Sequence, residues 1–174
     1  KDRIYGKVLI LGNIAIDSTL SIFERTKKEH KKINGQYALV NVHRHENLRS
    51  RKRMAKIVSI VSKIPIKTYW PLHDGTISYL KKYGLFDILK RNKKIVLSNL
   101  VSYPMFTNLL THAKILLVDG GSIQEESLIF KKPCLLLRMK TERQEGLKTG
   151  INFLTELNVG KTKKLIDYIL DKNF

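Results

Sequence analysis

The sequence contains very little cysteine and no long apolar segment. Its single cysteine, Cys134, cannot form a disulfide within the chain. The longest apolar runs cover residues 7–11, 115–118 and 134–137, far short of the ~20 residues that a membrane-spanning helix needs. These two shortages argue against a disulfide-stabilised fold and against a transmembrane protein, and they predict a soluble protein of the cytoplasm.

Acidic residues are also scarce. The chain has 15 Asp and Glu residues against 33 Lys and Arg residues, a formal net charge of +18 over 174 residues. With 43% apolar residues, it is nevertheless too hydrophobic to be a disordered basic tail. No helix-turn-helix, zinc-finger or RNA-recognition signature accompanies the basic residues. The charge therefore favours a lysine-rich surface that attracts small anionic ligands over a nucleic-acid-binding surface.

Short apolar runs alternate with segments of helical periodicity, a pattern typical of a parallel sheet flanked by helices. The predicted strands cover residues 7–11, 37–42, 66–70, 95–97, 115–118 and 134–137. The predicted helices lie at residues 51–63, 77–83, 86–90, 103–113, 123–130 and 162–170. We therefore predict a Rossmann-like α/β fold in a single domain over residues 1–174. Because the chain begins with lysine and not methionine, we expect it to be a piece of a longer protein.

Polar and charged side chains follow five of the predicted strands. The segments concerned are residues 43–47, 71–74, 99–103, 119–122 and 138–145. Ligands bind at the carboxyl ends of buried parallel strands, which meet at one edge of the sheet. We therefore expect the functional site at this edge.

The sharpest single feature is a strand that runs into Asp119-Gly120-Gly121-Ser122 and then into a helix. Glycines let the backbone approach a phosphate, and the first N–H groups of the helix point towards it. Glu126, one turn into this helix, is suited to accept hydrogen bonds from ribose hydroxyls. The alternative is a tight turn in which Ser122 is the N-cap and Glu125 completes a capping box.

Seven motifs, in order, give the chain a specific resemblance to a known family. They cover residues 12–17, 43–47, 71–73, 103–106, 119–126, 132–133 and 138–146. In these motifs the chain resembles the C-terminal domain of the non-hydrolysing UDP-N-acetylglucosamine 2-epimerases, enzymes of the two-domain glycosyltransferase-B architecture. The segments Gln124-Glu125-Glu126 and Thr141-Glu142-Arg143 resemble this branch rather than the hydrolysing epimerases.

This resemblance implies interconversion of UDP-GlcNAc and UDP-ManNAc without a metal or another cofactor. The family eliminates UDP to form a 2-acetamidoglucal and adds UDP back after reprotonation at C2. The carboxylates that handle the C2 proton lie on the N-terminal domain, which we expect to be absent from this chain. Expected partners are UDP-GlcNAc and UDP, the N-terminal domain in cis or in trans, and a second copy of the chain, but neither nucleic acid nor membrane. The alternative function is a stand-alone UDP-sugar-binding lobe without turnover.

The resemblance also implies a UDP-binding set of residues, namely Phe106, Gly120, Gly121, Ser122, Glu126 and Arg143. Within this set, Glu126 would bind the ribose, Arg143 the pyrophosphate region, and Phe106 would line the uracil pocket. The glycine turn would hold the diphosphate. This chain has Gly120 where the family usually has serine, and Ser122 is the nearest hydroxyl that could replace it.

Three further residues belong to the predicted site. His43 is the predicted catalytic residue, beside the diphosphate and the sugar. Arg44 and His73 match positions with which bacterial members hold a second, activating UDP-GlcNAc at the domain cleft.

Each of these assignments has a purely structural alternative. His43 could be a histidine that only hydrogen-bonds within the fold. Phe106 could be a core residue, because it shares helical spacing with Leu109 and Leu110. Arg143 could pair with Glu142 or Glu145 in a solvated surface cluster.

Overall fold

The structure is a computed structural model, and it describes residues 6–7, 9, 12–28 and 33–172. Its centre is one six-stranded sheet in which neighbouring strands pair in parallel. The strands are β1 (Tyr37–Asn41), β2 (Lys67–Leu72), β3 (Ile95–Asn99), β4 (Ile115–Val118), β5 (Cys134–Leu136) and β6 (Asn152–Leu154). They are arranged in the order β3-β2-β1-β4-β5-β6. The connections after β1 and β4 leave in opposite directions, so a crevice opens between the carboxyl ends of these two strands.

Helices precede, connect and follow the strands. They are α1 (Ile14–Thr26), α2 (His45–Leu48), α3 (Arg51–Ser62), α4 (Asp74–Lys82), α5 (Phe86–Arg91), α6 (Tyr103–His112), α7 (Ser122–Ile129), α8 (Glu145–Lys148) and α9 (Val159–Asp171). Among the residues described, no helix is both long enough and apolar enough to cross a bilayer.

The two faces of the sheet are buried in two separate apolar clusters. Successive side chains of a strand point to opposite faces. Ala38 and Val40 of β1 therefore join one cluster, and Tyr37 and Leu39 join the other. The first cluster includes the buried stripes of α3 and α9, and the second includes those of α6 and α7. Helices cover both faces of the sheet, so the carboxyl ends of the strands, with the crevice between them, are the part of the sheet that a ligand can reach.

The predicted α/β architecture is confirmed, and the predicted central strands differ from β1 to β5 by at most two residues at either end. Four elements were not predicted: the edge strand β6, the helix α1 and the four-residue helices α2 and α8. The strand β6 has only three residues and begins with a buried asparagine, so it lacks the apolar run that marks a buried strand. The predicted strand at residues 7–11 falls partly on residues 8, 10 and 11, which lie outside the described residues.

Candidate functional site

The candidate site lies where the chain order of the sheet reverses. Residues 42–44 continue from the end of β1, and residues 119–121 connect β4 to α7. The backbone N–H of Asp119 donates to Asn41 O at 3.1 Å, which extends the pairing of β1 and β4 to the edge of the sheet. Two of the polar segments predicted to form the site therefore lie side by side.

The side chain of Asp119 connects these two segments. It is fully buried and accepts three hydrogen bonds: from the backbone N–H of His43 at 3.0 Å, from that of Arg44 at 3.0 Å, and from Asn47 Nδ2 at 2.9 Å. Asn47 Nδ2 also donates to Leu137 O at 3.0 Å, directly after β5. The Asp119 carboxylate thus fixes the start of α2 against the ends of β4 and β5.

The glycine turn brings Gly120, Gly121 and Ser122 to the start of α7. Gly121 is the N-cap and Ser122 is the first helical residue, so the alternative prediction of Ser122 as N-cap is wrong. A Cβ on Gly120 would lie 2.9 Å from His43 Cε1. Any side chain at position 120 would therefore have to displace the His43 ring, and the glycine is what allows that ring to lie against the turn.

A cavity of about 430 Å³ opens beside the turn. It brings together five of the predicted site residues, namely His43, His73, Phe106, Ser122 and Glu126. Phe106 is 7% exposed, packs with the apolar cluster that includes Leu109, and also lines the cavity. The core role and the cavity-lining role predicted for Phe106 are therefore compatible.

Glu126 is a nearly buried carboxylate in the wall of this cavity, with 7% of the residue exposed. The Tyr103 hydroxyl donates to its Oε1 at 2.9 Å, and Thr19 Oγ1 lies 2.9 Å from the same hydroxyl. Burial raises the pKa of Glu126 above its ordinary value, the Tyr103 hydrogen bond opposes this rise, and the charge of Glu125 adds to it. The sequence analysis did not identify Tyr103 as the partner of Glu126, because spacing alone does not give side-chain direction.

Arg143 reaches the turn from the segment after β5. Its Nε donates to Gly121 O at 3.0 Å and lies 3.2 Å from Glu125 Oε1. The alternative, in which Arg143 pairs with Glu142 or Glu145, is therefore wrong, since the carboxylate next to Arg143 is that of Glu125 in α7. Its guanidinium atoms lie 3.4 Å from the position that a Cβ on Gly121 would take.

A buried amide holds this segment over the turn. Gln124 is fully buried, donates from Nε2 to Gly120 O at 3.0 Å, and accepts from Thr141 Oγ1 at 2.8 Å. The backbone N–H of Arg143 donates to Thr141 Oγ1 at 3.2 Å. Gln124 therefore sets the position of Arg143 relative to the turn, a role that the sequence analysis did not assign.

His43 and His73 form a pair of neighbouring rings, with centroids 4.9 Å apart and planes inclined by 33°. His43 Nδ1 lies 2.8 Å from Asn41 Oδ1 and 3.6 Å from Asp119 Oδ1. Burial lowers the pKa of His73, and the nearby His43 lowers it further, while Asp119 and Asp74 act in the opposite direction. His43 therefore lies against the turn at Gly120, and His73 lies against His43.

The predicted activator residues do not share one cavity. His73 lines the main cavity with His43, whereas Arg44 lines a neighbouring groove of about 330 Å³ together with His43, His45 and Glu46. His43 therefore lines both the cavity and the neighbouring groove. Within the described ranges, no three histidine, cysteine or acidic side chains are grouped so that they could hold a metal ion.

Comparisons with known proteins show which family the chain is similar to. A family profile described as UDP-N-acetylglucosamine 2-epimerase matches residues 4–173. The UDP-N-acetylglucosamine 2-epimerase of Methanocaldococcus jannaschii is 35% identical over 180 residues, which cover 96% of this chain and 49% of that enzyme.

Two solved structures are also similar to this chain in their three-dimensional fold. The UDP-GlcNAc 2-epimerase of M. jannaschii in complex with UDP-GlcNAc and UDP matches with a TM-score of 0.86 at 32% identity, over 95% of this chain and 48% of that one. The Neisseria meningitidis UDP-GlcNAc 2-epimerase bound to UDP-GlcNAc matches with a TM-score of 0.79 at 26% identity, over 95% of this chain and 47% of that one. The chain thus spans about half the length of the relatives it matches.

Replacing Asp119 by asparagine should lower the free energy of unfolding by about 1.5–3 kcal/mol, because an amide NH₂ would then face donors that now bond to a carboxylate. Urea denaturation near neutral pH measures this change. The matched control is Asp167→Asn on α9, where the carboxylate is exposed and pairs with Lys163. We expect the control to change stability by no more than about 0.5 kcal/mol. Equal losses in the two variants would contradict the role given to Asp119.

Proposed function

Since the chain belongs to the UDP-N-acetylglucosamine 2-epimerase family, we propose that it supplies the UDP-binding half of such an enzyme. One observation carries the proposal. A nearly buried carboxylate, Glu126, lines the same cavity as Ser122, which directly follows the glycine turn at Gly120 and Gly121 and begins the same helix. A carboxylate one turn from an anion cradle matches the separation of ribose hydroxyls and phosphate in a nucleotide, rather than a bare phosphate.

The remaining walls suit the other parts of UDP. Leu100, Val101 and Phe106 give the cavity an apolar wall that would take the uracil. His43 lies against Gly120 and Arg143 against Gly121, where both would bind the diphosphate. In this arrangement Glu126 binds the ribose, as the sequence predicts.

The proposed reaction is the interconversion of UDP-GlcNAc and UDP-ManNAc by elimination and re-addition of UDP. In the elimination, the C1–O bond to UDP breaks, a base removes the C2 proton, and a 2-acetamidoglucal forms. Stabilising the departing diphosphate falls to the cations at the turn, with His43 nearest to the reacting sugar. This chain would enter the reaction as a C-terminal lobe covering residues 1–174.

The base is expected on the other lobe of the enzyme. Among the described residues that line the cavity, Glu126 is the one carboxylate, and the ribose would engage it. Asp119 is fully buried and already accepts three hydrogen bonds. A general base must reach the proton that it removes, so proton transfer at C2 would need a group from a second wall of the cleft. Homodimer formation and location in the cytoplasm stay predictions.

The first expected result is that the chain binds UDP and that Glu126→Gln weakens this binding by about 1.5–3 kcal/mol, through loss of a charge-assisted hydrogen bond. Isothermal titration calorimetry measures it. Inorganic pyrophosphate should bind the wild type and Glu126→Gln equally, because it has no ribose. The control is Glu156→Gln, at an exposed carboxylate that pairs with Lys161. UDP binding no tighter than pyrophosphate binding would contradict the assignment of Glu126.

The second expected result is that the chain alone does not epimerise UDP-GlcNAc, since it would lack both the base and the second wall that excludes water from the glycal. Added to the half of the M. jannaschii enzyme that this chain does not match, it should form UDP-ManNAc in D₂O with deuterium at C2. The control is the same half mixed with its own natural partner half. Deuterium at C2 with the chain alone would mean that a residue of this chain acts as the base. UDP binding without turnover in the mixture, alongside an active control, would favour a stand-alone binding lobe.

A further inference from the structure

Arg138 is a buried cation that no role described above accounts for. It follows β5, and 5% of the residue is exposed. Its Nε lies 3.5 Å from Glu46 Oε1, and its Nη1 lies 3.2 Å from Glu142 Oε2. One guanidinium therefore contacts carboxylates from two separate segments of the chain.

These two segments are the ones that carry the cations of the site. Glu46 lies in α2, directly after His43 and Arg44. Glu142 directly precedes Arg143, whose Nε reaches Gly121 O. Arg138 therefore links the segment that contains Glu46 to the segment that contains Glu142, one on each side of the glycine turn. We propose that Arg138 is a positioning residue that sets the distance between the cations on these two sides, and this rests on the proposed UDP-binding function.

Stability alone does not account for a charge at this position. Arg138 Nε is buried and has no hydrogen-bond partner among the described residues, and its distance to Glu46 Oε1 is 3.5 Å. A buried charge that is incompletely paired costs stability, and apolar replacements of buried ion pairs are often neutral or stabilising. The benefit of the guanidinium therefore lies in what it holds together.

Arg138 also balances negative charge beside an anion site. The pKa of Glu142 is lowered by a bond to its own backbone N–H, by Arg138 and by the charge of Arg44. Glu142 is therefore ionised at neutral pH and shared by two arginines. Without Arg138, Glu46 and Glu142 would both lose a cation and would repel a diphosphate at the turn.

If Arg138 has this role, its loss should weaken the binding of a nucleoside diphosphate more than the binding of a nucleoside monophosphate. A diphosphate spans the cations on both sides of the turn, whereas UMP needs only one side. Arg138→Met should therefore weaken UDP binding by about 10-fold or more and UMP binding by less than about 3-fold, because the two segments that carry the basic residues would lose the cation between their carboxylates. Calorimetry with both nucleotides gives the ratio of the two affinities, and urea denaturation reports stability separately.

A thermodynamic cycle separates positioning from a general structural role. Glu142→Gln should lower the UDP-to-UMP affinity ratio in the wild type but not further in Arg138→Met, because the two residues act through one contact. Arg138→Lys keeps the charge without the planar fork, so it should lower the UDP-to-UMP affinity ratio by a smaller factor than Arg138→Met. If Arg138→Met does not fold, Arg138→Lys replaces it in the cycle. Arg51→Met, at an exposed arginine of α3, is the control and should leave the ratio unchanged.

Two outcomes would overturn the inference: equal weakening of UDP and UMP, or additive effects of the Arg138 and Glu142 substitutions. Failure of the wild-type chain to bind UDP would instead contradict the proposed function. The two failures are therefore distinguishable in one set of titrations.

Discussion

Three hydrogen bonds to the buried carboxylate of Asp119 determine where the functional groups of this protein lie. The carboxylate projects from the end of β4 and accepts the backbone N–H groups of His43 and Arg44 and the amide of Asn47. A fully buried carboxylate needs such donors, because an unpaired charge there would be very costly. The requirement for donors therefore fixes the backbone after β1, and with it the His43 ring against Gly120.

A second buried group, the amide of Gln124, positions the residues on the Gly121 side of the turn. Gln124 bonds to Gly120 O and to Thr141, and Thr141 Oγ1 accepts the N–H of Arg143. The His43 side chain thus lies against Gly120 and the Arg143 side chain against Gly121, each held by a buried polar residue that would not itself touch a ligand. This division suits anion binding, because the groups next to the turn are basic while the groups that orient them are already satisfied.

The sequence predicted the location of this site better than its contacts. Five apolar runs identified β1 to β5, and their ends identified the edge at which His43, Phe106, Ser122 and Glu126 meet, since parallel strands end together. The partners of the individual side chains could not be predicted, because spacing in the sequence does not specify which side chains of different helices and strands point towards each other. Arg143 accordingly pairs with Glu125 of α7 rather than with its sequence neighbours, and Tyr103 of α6 supplies the donor to Glu126. The short edge strand β6 lacks any apolar run and depends on tertiary pairing with β5.

The same charge pattern gives a physical reason for dividing the proposed reaction between two lobes. A carboxylate base works best when its pKa is not held low, and nearby cations lower the pKa of a carboxyl group. The segments around the turn carry His43, Arg44 and Arg143, and the pKa of Glu142 there is already lowered, first by a bond to its own backbone N–H and also by Arg138 and Arg44. A base on this edge would be weakened by the groups that, in the proposed reaction, stabilise the leaving UDP. A base on an opposite wall would reach C2 from the side of the sugar away from these cations, so that proton removal and diphosphate departure each occur in a suitable electrostatic environment.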